Sequence, residues 1–448
     1  MATTLAGPTA PAALQRVQWI LDPVGYMGTH SRRFGGIFPV RFLPNDQGST
    51  YLVSDPKALQ AILSNDAGRV FSAPGELNAI LAPLLGRRGT ILLSGEEHRQ
   101  RRQLLMPRFH GEVLEAYGRA IATISREQIA DWGVGEVREM RPLMQRITMR
   151  IILQVVFGLD QGERALHLDR LLSRRLELSA TPLTSAVLFL PWLVGDYGPW
   201  SPGTRLRRLG ERIDALLFAE IQERRARGGE ARTDVLSLLL HATDAQGQGL
   251  SDLELRDELM TLLVAGHETT ATALTAALHW LHRTPGVLER LREELADLPS
   301  PPEPAELLRL PYLGAVCQES LRLHPVAMVT FPRRVEAPVE CGGQRLVPGD
   351  LVLGCIYLLH RREELYPEPE SFRPERFLER PFSPYEYMPF GGGVRRCIGS
   401  ALAQQELRIV LGTLLRHRRL EPVDPRPVAQ ARRGVTLGLS RPVRLRRA

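Results

Sequence analysis

Residues 390–399 read Phe-Gly-Gly-Gly-Val-Arg-Arg-Cys-Ile-Gly, and a stretch with helical apolar spacing runs on from about Cys397 to Leu415. Glycine lets a backbone come close to a flat group and adopt conformations that other residues resist. The N–H groups of such a loop, and the positive end of the helix that follows, would face the Cys397 sulfur. Both favour thiolate over thiol. A thiolate held in this way is a nucleophile or an axial metal ligand. The plainer alternative is a glycine-rich turn around a buried structural cysteine.

The other three cysteines, Cys317, Cys341 and Cys355, form no close-spaced pair, which argues against a disulfide scaffold or a zinc ribbon. The chain has 448 residues, 57 Lys+Arg and 50 Asp+Glu, hence a net charge of +7. Lys57 is the single lysine, so the excess is arginine, which reads as codon usage in a GC-rich genome. Acidic residues are interleaved with the basic ones, as in GERIDALLFAEIQERRARGGE at 210–230, so no basic stripe marks a nucleic-acid binder. At 44% hydrophobic and 24% charged the composition is globular. The apolar run Ala186–Leu190 stops at Pro191, far short of the roughly 20 residues of a transmembrane helix. The N-terminal MATTLAGPTAPAALQ has no basic n-region or apolar h-region, so a cytoplasmic, monomeric protein is expected.

Working back from the loop, β-like runs lie near 36–42 and 49–54, and Asp55-Pro56 reads as an N-cap with proline in the first turn. From Ser94 to Pro311 the apolar spacing is almost entirely helical. β-like runs follow in 331–358, then a Pro-rich loop at 366–392, and the tail GVTLGLSRPVRLRR reads as strand. No linker divides the helices. The expectation is one domain over 1–448, mainly α with a minor β portion, with 1–29 as a peripheral segment.

Four constellations accompany the loop. Ser251 and Glu254 form a capping box at the start of a helix ending before Pro285. Its middle reads Ala265-Gly266-His267-Glu268-Thr269-Thr270, where a mid-helix glycine makes sense if a ligand lies against the backbone, and the threonines can compete for carbonyls and open a kink. Ser94 to Glu97 reads as a second capping box, opening a helix on which His98 and Arg102 share a face, a pairing suited to a carboxylate. Glu319 and Arg322 lie one helical turn apart. In the pair Arg333-Arg334, strand alternation sends one side chain inward and one outward.

The spacing of Phe390, Gly393, Arg395, Cys397 and Gly399 resembles the haem-binding signature of the cytochromes P-450, and the other motifs follow that family's order from His98 onward. The resemblance implies the P-450 fold, with a long central helix crossing the haem. It implies that Cys397 is the thiolate ligand of haem b iron, that Phe390 packs near the sulfur, and that His98, Arg102, Arg333 and Arg395 are haem-propionate partners. Glu268 and Thr269 match the acid–alcohol pair that delivers protons to bound dioxygen. Glu319, Arg322 and Arg376 match a buried charge network behind the haem.

A haem-thiolate monooxygenase is therefore expected, hydroxylating or epoxidising a hydrophobic small molecule. Electrons would come from NAD(P)H through a ferredoxin or flavodoxin and its reductase, because little chain follows Leu415. Arg99, Arg101 and Arg396 are candidates for docking such an acidic partner. By analogy the pocket draws on residues about 72–93, 177–200, 262–270, 326–331 and 434–438, with Leu81, Val264, Ala265, Ala327, Val329 and Val435 as lining candidates. Their apolar character, with the FGGG form of the loop and LRLHP, favours a fatty-acid, terpenoid or polyketide-like substrate. The rival readings are a peroxide-using peroxygenase and a non-catalytic haem- or ligand-binding protein, neither of which needs the Glu268–Thr269 pair.

Overall fold

The computed structural model describes residues 6–43, 45, 47–158, 162–178, 195, 198, 201–227, 234–243, 247–424 and 426–448. Its axis is the central helix Asp252–Arg283. At 1.5 Å per residue this helix is about 48 Å long. The Ser251–Glu254 capping box forms as expected: the Ser251 hydroxyl accepts from the Glu254 N–H at 3.3 Å and the Glu254 carboxylate accepts from the Ser251 N–H at 3.0 Å. The helix stops at Thr284, immediately before Pro285, whose ring cannot continue it.

A helix buried all round is a core helix rather than a surface one. Here 22 residues are buried, among them the charged Arg256, Asp257 and Glu258. Between Leu255 and His282 only Ala265 is exposed. The flanking helix Met140–Phe157 runs against it, burying 13 residues of its own. The helices Glu112–Ala130, Pro202–Arg227, Pro311–Leu323 and Ser400–His417 add to this main core.

A five-stranded sheet stands beside the helices, in the spatial order Ile37–Val40, Thr50–Val53, Leu351–Gly354, Arg333–Val335, Phe71–Ser72. Its one parallel pairing sets Thr50 against Leu351, and the other neighbours are antiparallel. Asp55 caps the next helix, accepting from the Ala58 N–H at 2.8 Å. Ile62, Phe71, Val352 and Met388 share one apolar cluster, which brings the turn at Asp66 and the approach to the Cys loop under the same sheet. Arg333 points inward and Arg334 lies partly open, as strand alternation requires. The tail supplies strands at Thr436–Leu439 and Arg444–Arg447.

Two expectations need correction here. Residues 12–29 are not merely peripheral. They form two short helices whose Trp19, Tyr26 and Met27 are buried with Phe38 and Leu52, and Trp19 stacks on Phe42 at 4.1 Å. The Pro/Ala content hid this apolar edge. Gly266 does not make room for a ligand either: a Cβ built there would lie 2.6 Å from Ile152 Cδ1, so the glycine allows the two long helices to approach. No helix among the described residues is long and apolar enough to cross a membrane.

Candidate active site

The Cys loop is built on two left-handed glycines, Gly391 and Gly393, with φ of 66° and 63°. A Cβ on Gly393 would lie 2.0 Å from Asp66 Oδ2. Asp66 is the organiser of this corner: its carboxylate accepts from Arg333 Nε at 2.7 Å and from the Val394 N–H at 3.2 Å. Arg333 then donates to the Gly392 carbonyl at 2.9 Å and to that of Phe331 at 2.7 Å. Nothing in the local sequence marks Asp66 for this task, since its partners are hundreds of residues away. The loop closes when the Cys397 N–H donates to the Phe390 carbonyl at 3.0 Å, and Phe390 packs against the main core. The helix that follows begins at Ser400, with Gly399 at its N-cap.

Cys397 is exposed although protein packs closely around its sulfur. Burial pushes this thiol up, while the Gly399 N–H, Arg102 and Arg396 pull it down. A lowering by a loop N–H is therefore present, as expected, but outweighed by desolvation in the free thiol.

Four basic groups converge on one another, and one of them, Arg102, acts on that sulfur. His98 is held down to about 4, by burial first and then by the charges of Arg395, Arg102 and Arg333. Arg395 is lowered to about 10 by burial and by Arg333 and Arg102. Arg102 is half-buried, lowered by burial, and feels the Cys397 sulfur. Arg395 spends its donors on the carbonyls of Ala73, Thr90, Ile91 and Leu93 at 2.5–3.4 Å, which are neutral groups and do not cancel its charge. Asp66 and Glu76 are the acids that act on this cluster, and Asp66 is already paired with Arg333.

On the central helix, Glu268 is held from the flanking helix: Gln145 Nε2 donates to it at 3.0 Å and Arg141 forms an ion pair with it. The Thr269 hydroxyl donates to the Ala265 carbonyl at 2.6 Å. His267 faces away, fully buried, its Nδ1 3.0 Å from Thr148 Oγ1, and burial lowers it to about 4. Arg141, Gln145 and Thr148 lie on one stripe of the flanking helix, so the signal was a helical polar spacing on an apolar element. Its partner could not be read locally.

The Glu319 network is closed. Arg322 donates to Glu319 at 2.7 and 2.8 Å, and Arg376 Nε and the Arg373 N–H reach Glu319 Oε1 at 3.0 and 2.8 Å. Arg322 also donates to the carbonyls of His360, Pro369 and Ser371 at 2.8–3.1 Å.

Two further readings are overturned. The Ser94 capping box does not form, because the Ser94 hydroxyl accepts from the Gly75 N–H at 2.7 Å and donates to Glu76 at 3.1 Å. Arg101 is no docking residue: it is buried against Glu258 at 3.1 Å and Glu254 at 3.3 Å. Glu258 in turn accepts from the Thr90 N–H at 2.9 Å, and Asp257 from the N–H groups of Arg87 and Arg88 at 2.8 and 2.9 Å, clamping residues 87–90 onto the central helix. Arg396 is exposed, and Arg99 is exposed and paired with Glu96 at 2.8 Å.

Of the pocket candidates, Ala265, Ala327 and Val435 are exposed, Val264 and Val329 half-buried and Leu81 buried. The segment at 179–194, with its apolar run, lies outside the described residues.

This architecture, a buried central helix beside a loop-held cysteine and a cationic cluster, is that of a haem-thiolate protein. A family model described as Cytochrome P450 matches residues 18–443. Cytochrome P450 135B1 of Mycobacterium bovis is 38% identical over 411 residues, covering 92% of this chain and 84% of the relative. Cytochrome P450 135A1 of Mycobacterium tuberculosis is 33% identical over 436 residues, covering 95% and 92%. Among solved structures, retinoic acid-bound cyanobacterial CYP120A1 superposes with a TM-score of 0.82 at 25% identity, covering 97% of this chain and 96% of that one. The chain belongs to the cytochrome P450 family and is a monooxygenase oxidoreductase of that family.

The family implies haem iron, and the residues present fit it. Three guanidiniums and the neutral His98 imidazole offer the hydrogen-bond donors and positive charge that a dianionic group needs, with Asp66 offsetting one of them. The open Ala265 face and the reachable Cys397 sulfur suit a flat ring between helix and loop.

Proposed function

We propose that the chain oxygenates a hydrophobic small molecule at a haem held by Cys397, with His98, Arg102, Arg333 and Arg395 around the propionates. The observation that carries this reading is the basic cluster, in which Arg102 acts on the Cys397 sulfur, Arg395, Arg102 and Arg333 act on His98, and Arg333 is paired with Asp66. The haem, when bound, supplies the dioxygen-activating and C–H-oxidising chemistry.

The chain's own residues have separable tasks. The Gly399 N–H, Arg102 and Arg396 stabilise negative charge on the Cys397 sulfur. Thr269 holds a hydroxyl proton that it can redirect from the Ala265 carbonyl, and Glu268 stands next to it as the proton-passing carboxylate. Arg141 and Gln145 fix where that carboxylate lies. The close packing of the central and flanking helices excludes water from behind the pair.

Ala265 and Ala327 offer small, open apolar surfaces within otherwise buried stretches, which supports a hydrophobic substrate. Retinoic acid in CYP120A1 makes terpenoid acids a sensible first group to test. A ferredoxin or flavodoxin with its reductase would deliver electrons, with exposed Arg396 and Arg99 as docking charges. Spectral screening of a ligand library for low- to high-spin shifts, followed by product analysis, tests the substrate class. Shifts confined to polar ligands would overturn it. Arg396→Glu is expected to slow reduction of the protein by ferredoxin and flatten its salt dependence, and an unchanged rate and slope would count against the docking face.

A further inference from the structure

Glu258 lies on the central helix eleven residues before Thr269, about 16 Å away along the axis, and is fully buried. It has no part in the proton path of Glu268 and Thr269. Its carboxylate accepts from the Thr90 N–H at 2.9 Å, from the Thr90 hydroxyl at 2.8 Å and from Arg101 Nη1 at 3.1 Å. Burial pushes the carboxyl up, while Arg101 and Thr90 pull it down. A buried ion pair is seldom a better source of stability than packed apolar side chains, because both charges leave water. What it supplies is direction, since each donor must meet a carboxylate oxygen at hydrogen-bond distance.

Each partner of Glu258 leads to the basic cluster. Thr90 turns its carbonyl to Arg395 Nη1 at 3.1 Å. The other acceptors of Arg395, the carbonyls of Ala73, Ile91 and Leu93, belong to the same strap of chain. The place of that guanidinium therefore follows the place of residues 73–93. Gly86 and Gly89 let the strap lie against the central helix, where a Cβ would meet Asp257 Oδ1 at 2.1 Å and Thr261 Oγ1 at 2.3 Å. Arg101 stands on the helix Gly95–Leu105, which also carries His98 and Arg102. One carboxylate thus reaches both sides of the cluster, Arg395 through the strap and Arg102 through its helix.

We propose that Glu258 is a positioning residue for the haem, fixing Arg395 through Thr90 and Arg102 through Arg101. The inference rests on the reading of Arg395 and Arg102 as propionate partners. Glu258→Gln keeps an oxygen for Thr90 but removes the charge that faces Arg101.

The test uses the haem-loaded protein, with two readouts: haem transfer to a scavenger, and the propionate bending bands in resonance Raman spectra. Glu258→Gln is expected to speed haem loss by about tenfold or more and to shift the propionate bands. Thr90→Val keeps the N–H and loses only the hydroxyl, so it should shift the bands in the same direction with a smaller change in rate. Asp257→Asn is the control, because Asp257 accepts from the N–H groups of Arg87 and Arg88 on the same strap rather than from Thr90 or Arg101. It should lower stability and leave the bands in place. Unshifted bands in Thr90→Val, or in a folded Glu258→Gln, would overturn the proposal, as would equal shifts in Asp257→Asn. Arg395→Gln separates the two claims. Shifted bands there with none in Glu258→Gln sink the positioning role alone, whereas unshifted bands in Arg395→Gln sink the propionate reading of Arg395.

Discussion

Gly266 and Thr269 stand three residues apart on the central helix and serve different purposes. Gly266 exists for its neighbour: the Ile152 Cδ1 atom occupies the place of a Cβ. Gly266→Ala adds about 1 kcal/mol of helix propensity but forces an overpacked contact costing about 1–3 kcal/mol. A net loss of about 1 kcal/mol is expected in denaturant unfolding. Ile152→Val removes the offending atom, so the glycine substitution should become neutral or stabilising in that background; an unchanged loss would mean the contact is not the cause. On the proposed function, Thr269→Ala acts on chemistry instead. It leaves substrate-induced spin shifts in place and is expected to lower product formed per electron consumed by about tenfold or more, as for a lost proton donor. Full coupling in that variant would remove Thr269 from the proton path.

At the scale of elements, the Pro311–Leu323 helix and the Cys loop are each pinned by one buried acid. Glu319 accepts from Arg322, Arg376 and a backbone N–H, with both guanidiniums at most 2% exposed. Glu319→Gln strands two buried charges, and a loss of about 3–5 kcal/mol is expected, read as poor haem retention and earlier unfolding. Asp66 does the same for the loop, and Gly393→Ala meets both a left-handed φ of 63° and the Asp66 carboxylate. Weakened haem binding with unfolding of the remaining helices unchanged is the expected result, measured by haem transfer to a scavenger. The glutamate-arginine pair was legible because its members are one helical turn apart. Asp66 was not, because a pairing with residues 333 and 394 is made only when sheet and loop meet.

The whole molecule should lose stability in acid through its buried histidines. His267 titrates at about 4 and His324 at about 3, against an ordinary 6.5, both lowered chiefly by burial. Below 6.5 the unfolded chain binds protons that the folded chain refuses, so stability falls as pH drops from 6.5 toward 4 and is complete above it. At pH 5 each contributes a loss of up to about 2 kcal/mol. Unfolding free energies at pH 7.5 and pH 5, with and without His324→Gln, check this; an equal pH dependence in the variant would exclude His324 as a contributor. At the same scale, the local pattern by itself determined the helix boundaries around Ser251 and Pro285, the strand alternation at Arg333 and the identity of the cysteine loop. These rest on capping, periodicity and glycine geometry, which are properties of neighbours in sequence. The tertiary structure decided that Gly266 serves a helix contact, that Arg101 is buried against Glu258, and that Arg141 holds Glu268. Each depends on which distant side chain fills the space opposite, and only packing decides that.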